Sequence, residues 1–148
     1  MRKIFIYYSL TGNGDEVSSY LTSRGYDVRK VVEKKKMPKS FFFSILAGGF
    51  RAGLNLKGKL INYNPDVNDY DEIVIGSPIW NGRFPPAINR VLSCTGLSNK
   101  KLTFLFYSGS GDGPKALKKV RKLYKEANII FLKEPKKHPQ EYEKIKEL

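Results

Sequence analysis

The stretch Ile4–Glu16, IFIYYSLTGNGDE, decides how this chain is read. Its apolar run, Ile4-Phe5-Ile6-Tyr7-Tyr8, has the character of a strand buried on both faces, as in a parallel sheet. The run stops at Ser9. The residues that follow, Ser9-Leu10-Thr11-Gly12-Asn13-Gly14, are mostly short enough to bend tightly and turn backbone N–H groups outward. N–H groups at a helix start have no partner inside the helix and carry a partial positive charge, so this turn predicts an anion cradle suited to a phosphate. A serine- and threonine-containing turn is also an ordinary helix cap. The other loops must decide between the two.

Beyond the turn, Val17, Tyr20 and Leu21 sit at helical spacing, and Gly25 closes the helix. Tyr26–Val32 reads as a second strand nearer an edge. The spacing then predicts a helical crossover over Ser40–Leu56, rich in Phe41, Phe42, Phe43 and Phe50. A membrane-docking amphipathic segment is the alternative there, weakened by Gly48, Gly49 and Gly53. Tyr63–Asp66 is a turn, and Glu72–Gly76 is the third strand. Ser77–Pro86 cannot be helical, and Pro86 opens a helix over Ala87–Leu92. Lys101–Tyr107 is the fourth strand, followed by the glycine-rich Ser108–Gly113. Pro114 opens a helix whose predicted apolar stripe is Leu117, Val120, Leu123 and Ala127. Ile129–Leu132 is the fifth strand, and Gln140–Leu148 a short closing helix. This alternation implies one α/β domain over residues 1–148.

Composition narrows the classes. With 41% apolar residues and interleaved charge, 148 residues can bury one core. The single cysteine, Cys94, excludes an internal disulfide framework and a multi-cysteine metal site, and no metal site is expected. The apolar run after Met1-Arg2-Lys3 is too short for a signal peptide, and no stretch has the length of a membrane span. A cytoplasmic protein is the expectation. The net charge of +13 favours a polyanion or an acidic partner, with basic residues concentrated in Arg29–Lys39, Lys115–Lys125 and the tail from Lys133.

Three loops, Ser9–Gly14, Ser77–Pro86 and Ser108–Gly113, all leave carboxyl ends of strands, where open parallel sheets bind ligands. The set YYSLTGNGDEV, IGSPIWNGRFPPAINRVL and FLFYSGSGDGP resembles the flavodoxin family in a short-chain form, over Arg2 to about Leu132. The resemblance implies a three-layer open sheet of five parallel strands in the order 2-1-3-4-5, with helices on both faces and FMN between strands 1 and 3. It implies that Ser9, Leu10, Thr11, Gly12, Asn13 and Gly14 hold the phosphate, without any lysine or arginine. It also implies that Ser77, Pro78, Ile79, Trp80, Asn81 and Gly82 line the flavin, with Trp80 covering one ring face and the Asn81-Gly82 peptide flipping on reduction. Ser108, Gly109, Ser110, Gly111 and Asp112 then approach the pyrimidine end of the ring. No residue reads as a general acid or base.

The chain departs from that pattern in two ways. It is basic where flavodoxins are acidic, and its third loop has no aromatic residue. Arg83 is expected to bring a cation near the ring. At ~6 Å and an effective dielectric of ~20, that charge favours an anionic reduced flavin by roughly 3 kcal/mol before screening. The leading expectation is a monomeric electron carrier whose redox partner proteins are acidic at the contact surface. The alternative is an NAD(P)H-dependent flavin or quinone reductase. Nucleic-acid binding is disfavoured because no aromatics interleave the basic residues of Lys115–Lys125. The first loop also lacks a dinucleotide fingerprint, a Walker lysine and a phosphatase cysteine.

Overall fold

Each buried run of the sequence becomes a parallel strand, and each glycine- or proline-marked break starts a helix. The computed structural model describes residues 1–34, 40, 57–80 and 82–148. Its order is β1 (Lys3–Tyr7), α1 (Asn13–Ser23), β2 (Asp27–Lys30), β3 (Glu72–Pro78), α2 (Pro86–Cys94), β4 (Lys101–Ser108), α3 (Pro114–Leu123), β5 (Asn128–Lys133) and a closing 3₁₀ helix (Pro139–Ile145). The five strands form one parallel sheet in the order β2-β1-β3-β4-β5, a flavodoxin-like arrangement. The chain steps to one side from β1 to β2 and to the other from β1 to β3, so the direction reverses at the β1–β3 boundary.

Alternate residues separate two apolar layers. Ile4, Ile6, Ile73, Ile75, Phe104 and Phe106 pack with Ile88 and Val91 of α2 and Val120 of α3. Phe5, Tyr7, Val74, Leu105 and Leu132 pack on the other face with Val17 and Leu21 of α1 and Ile145 of the closing helix. Among the described residues, no helix is long and apolar enough to cross a membrane.

Several boundaries differ from the sequence reading, each for a local reason. β2 is shorter than Tyr26–Val32 because residues beyond Val31 leave to meet the returning chain. There, Ile61 N–H donates to the Val32 carbonyl (2.9 Å) and Lys34 N–H to the Lys59 carbonyl (2.7 Å). In α3 the core-facing residues are Ala116 and Val120, whereas Leu117 and Leu123 are 37% and 56% exposed. The Tyr124 ring, 5.4 Å from Phe104, fills the space below the helix end. Ala127 is buried beyond the helix, in the lead-in to β5. The closing helix is a 3₁₀ turn, anchored by Ile145 and by Tyr142 stacked on Tyr20 at 4.8 Å. The crossover expected over Ser40–Leu56 lies outside the described residues apart from Ser40.

The amino ends of the strands are closed by charge. Register aligns Lys3, Glu72 and Lys101 across β1, β3 and β4. The fully buried Glu72 accepts hydrogen bonds from Tyr26 Oη (2.8 Å) and Lys101 Nζ (2.9 Å). Beside it, Arg2 bonds Asp27 (3.2 Å) and Asp69 (3.3 Å), and its backbone N–H donates to Asp71 (2.8 Å). Burial alone would raise the Glu72 carboxyl, but hydrogen bonds from Lys101 and Tyr26 and the charges of Lys101 and Lys3 hold it below the ordinary glutamate value.

At the carboxyl ends, α1 begins almost in contact with the sheet. A Cβ on Gly14 would lie 2.5 Å from the Tyr107 hydroxyl and 2.8 Å from both Ser9 Cβ and Tyr7 Cδ2. Only glycine lets the helix start this close.

Two outcomes test these contacts. Gly14→Ala must push the start of α1 off the sheet and is expected to cost about 1–3 kcal/mol; a denaturation midpoint equal to that of the native chain would refute the contact. Glu72 has a lower value folded than unfolded, so its contribution is complete above the ordinary glutamate range and is lost as pH falls through the folded value. Urea titrations at descending pH are expected to show a shallower stability loss for Glu72→Gln than for the native chain; parallel slopes would count against the pairing.

Candidate functional site

The three predicted loops leave β1, β3 and β4, which are neighbours in the sheet, so they gather side by side at its carboxyl edge. Specific contacts join them. Tyr8 N–H donates to the Gly76 carbonyl (3.1 Å), and Ile79 N–H to the Tyr107 carbonyl (3.3 Å). A Cβ on Gly113 would come within 3.5 Å of Ile79 Cγ1, which places the end of the third loop against the second.

The first loop is built to present donors. Gly12 caps α1 at φ +92°, in the left-handed region that favours glycine. The first bond of the helix runs from Glu16 N–H to the Gly12 carbonyl (3.1 Å), so the N–H groups ahead of it have no partner within the helix. Ser9 Oγ accepts from Gly14 N–H (3.1 Å) and holds the turn closed. Asn13 Nδ2 reaches Thr11 Oγ1 at 3.4 Å. Thr11 is exposed, and Ser9, Gly12 and Asn13 are half-buried. Leu10 is 44% exposed, an apolar side chain beside the cradle.

An acidic residue so near an anion cradle needs neutralising. The Asp15 carboxylate turns back to the Tyr7 hydroxyl (2.8 Å) and the Lys30 ammonium (2.7 Å). Burial pushes Asp15 up, but those two hydrogen bonds, with the charges of Lys30 and Lys136, leave it below the usual aspartate value. The Tyr7 hydroxyl rises to about 12, through burial first and then its bond to Asp15. Beneath the loop, the buried Tyr107 hydroxyl donates to the Tyr8 carbonyl.

In the second loop, Trp80 and Arg83 exchange backbone hydrogen bonds (3.0 Å each way) and close a tight turn with Gly82 at φ +74°. Asn81 lies outside the described residues. Ser77 is buried, its hydroxyl donating to the Pro78 carbonyl (2.8 Å), while Pro78, Ile79 and Gly82 are half-buried. Trp80 is only 6% exposed, edge-on to Tyr8 at 5.9 Å in the layer beneath α2 and α3. Its indole is packed in the core and does not stand open to the crevice as a platform.

The third loop is ordered by its own side chains. Ser108 Oγ accepts from Gly111 N–H (2.9 Å), and Ser110 Oγ donates to Asp112 Oδ1 (2.6 Å). Gly111 has φ +78°, and the space where a Cβ on Gly109 would sit is open to 4 Å. Gly109, Ser110 and Asp112 are exposed.

Sequence reasoning missed the lysines lying on these loops. A Cβ on Gly12, Gly82 or Gly111 would meet Lys136 Nζ at 3.2 Å, Lys115 Cδ at 3.0 Å or Lys133 Cβ at 3.1 Å, respectively. For Lys133 and Lys136 the available signal was the end of β5: LKEPKKH leaves the same carboxyl edge as the three loops. Near the second loop, burial and the Arg83 charge lower Lys119, whose ammonium lies over the Phe84 ring at 4.8 Å.

No family model matches the chain, and no curated protein matches it in sequence. Its fold does have solved counterparts. A crystal structure of an inferred flavoprotein from Bacteroides eggerthii superposes with a TM-score of 0.73 at 18% identity, covering 86% of this chain and 84% of that one. Another from Bacteroides uniformis gives 0.67 at 20% identity, covering 86% and 85%. A flavoprotein from Lactobacillus acidophilus, crystallised in complex with FMN, gives 0.59 at 20% identity over 87% of this chain and 89% of that one. At these identities the likeness establishes the flavodoxin-like fold.

Proposed function

We propose that the crevice binds FMN and that the protein carries electrons between redox partners. The observation that carries this reading is the first loop. It is a glycine-shaped cradle of helix-start N–H groups beside the switch point of the sheet, on a fold that holds FMN in a solved counterpart.

The residues present fit that group. Ser9 and Thr11 offer hydroxyls, Asn13 its side-chain amide, and Gly12 and the start of α1 backbone N–H groups, while the Gly14 N–H shapes the turn through Ser9. Leu10 and the edge of Pro78 and Ile79 offer apolar surface, and the open side of Gly109 leaves room for a planar ring. Trp80 would cover a ring face only after leaving its packing against Tyr8, so in this reading it supports the second loop from beneath. The Asn81-Gly82 turn remains the candidate for a peptide that flips with redox state, since Gly82 already holds a positive φ. Bound FMN supplies the electron-transfer chemistry; the chain positions it and sets its field. Arg83, with Lys115 over Gly82, favours the negative charge a flavin gains on reduction.

Acidic surfaces on redox partner proteins suit the basic rim. One observation favours the reductase reading instead. The third loop is exposed and carries no aromatic ring, so a nicotinamide could reach the flavin.

Mixing the purified protein with FMN is expected to give shifted flavin absorption bands and quenched fluorescence. Flavin that stays bright and free would remove the basis of the proposal. With FMN bound, negligible steady-state turnover of NADPH with a quinone is expected of a carrier, whereas sustained turnover would decide for the reductase.

A further inference from the structure

The segment that leaves β5 is a strap joining the first loop to the third. Glu134 turns the chain at φ +37°, and its N–H donates to the Ser108 carbonyl (3.1 Å). The Glu134 carbonyl accepts from the N–H groups of Lys137 (2.8 Å) and His138 (3.1 Å), which rounds off the turn. Pro135 is buried beneath it. Lys136 N–H then donates to Asn13 Oδ1 (3.1 Å), which fixes the backbone of Lys136 against the start of α1.

The Lys136 side chain runs along the face of Gly12. Its Nζ, Cδ and Cε atoms lie 3.2, 3.6 and 3.8 Å from the position a Cβ would take. Among the described residues Lys136 forms no ion pair, whereas its neighbour Lys137 bonds Glu134 at 2.7 Å. The charge of Lys136 acts on Asp15, whose carboxylate is already bonded to Lys30 and Tyr7. A fixed backbone, a glycine lane and an ammonium without an ion pair among the described residues therefore meet at the donors of the first loop.

We infer that Lys136 binds the phosphate of the ligand held in this crevice, adding a cation to a cradle otherwise made of N–H and O–H donors. The inference rests on the FMN reading and deepens it. It makes the site selective for a phosphorylated flavin over its uncharged nucleoside form, and it makes that selectivity sensitive to salt.

The test is a fluorescence titration of FMN and of riboflavin against the native chain, Lys136→Met, Lys136→Arg and Lys137→Met, each at low and high ionic strength. Lys136→Met is expected to weaken FMN about tenfold while leaving riboflavin unchanged, the scale of a lost charge-assisted hydrogen bond. Lys136→Arg should keep most of the FMN preference, and Lys137→Met all of it. The salt dependence of FMN binding should flatten only in Lys136→Met. An unchanged ratio of FMN to riboflavin affinity in Lys136→Met overturns the assignment while leaving the flavin site standing. An equal loss in Lys137→Met also overturns it, because total charge would then account for the effect. If the native chain binds neither flavin, both the assignment and the FMN reading fall. Circular dichroism of each variant shows whether the fold is retained, and Lys136→Arg carries the test should Lys136→Met misfold: parity of Lys136→Arg with riboflavin-like FMN affinity then overturns the assignment.

Discussion

The start of α1 lies so close to the sheet that residue 14 has no room for a side chain, and the geometry of the crevice follows from that approach. Tyr107, Ser9 and Tyr7 occupy the surroundings of Gly14 on β4, the first loop and β1. Pressed against them, the first turn of the helix holds its N–H groups at a fixed height above the strand ends. Gly12 then takes the left-handed conformation that joins strand to helix. An anion cradle made from backbone needs this kind of support, since its donors are only as well placed as the peptide planes that carry them.

The positive charge of the chain is distributed with more purpose than its total suggests. At the amino ends of the strands, the cations are bound to carboxylates: Arg2 to Asp27 and Asp69, and Lys101 to Glu72. At the carboxyl ends, Lys30 neutralises Asp15, an acid of the first turn of α1 whose charge would oppose an anion in the first loop. Lys115, Lys133 and Lys136 lie along glycines of the three loops. The tail, which reads in sequence as a mixed charge run, contributes two of those three.

Much of the fold was legible because parallel strands announce themselves. Ile4–Tyr8, Glu72–Gly76 and Lys101–Tyr107 are apolar through both faces, and their lengths and breaks leave few other readings. The loops were legible for the same reason, since each begins where such a run ends. Side-chain direction was not. The pattern placed Leu117 and Leu123 on the core face of α3, but a ten-residue helix beside Phe104 and Tyr124 needs only Ala116 and Val120 there. Trp80 reads as a loop aromatic, yet the Trp80–Arg83 turn directs it into the core against Tyr8. Lys136 could not be assigned from local sequence, because its place over Gly12 depends on a contact with Asn13 across 123 residues of chain.

The three described α-helices each follow a strand of one parallel sheet, so they begin at the same edge of the molecule, and the polarity of their peptide groups adds instead of cancelling. The described helices therefore contribute peptide dipoles that point the same way along the strands, with their positive ends at the carboxyl edge. Toward a negatively charged body, that contribution favours approach with the carboxyl edge in front. The sheet's parallel topology thus fixes a direction of polarity that the total charge of the chain does not carry.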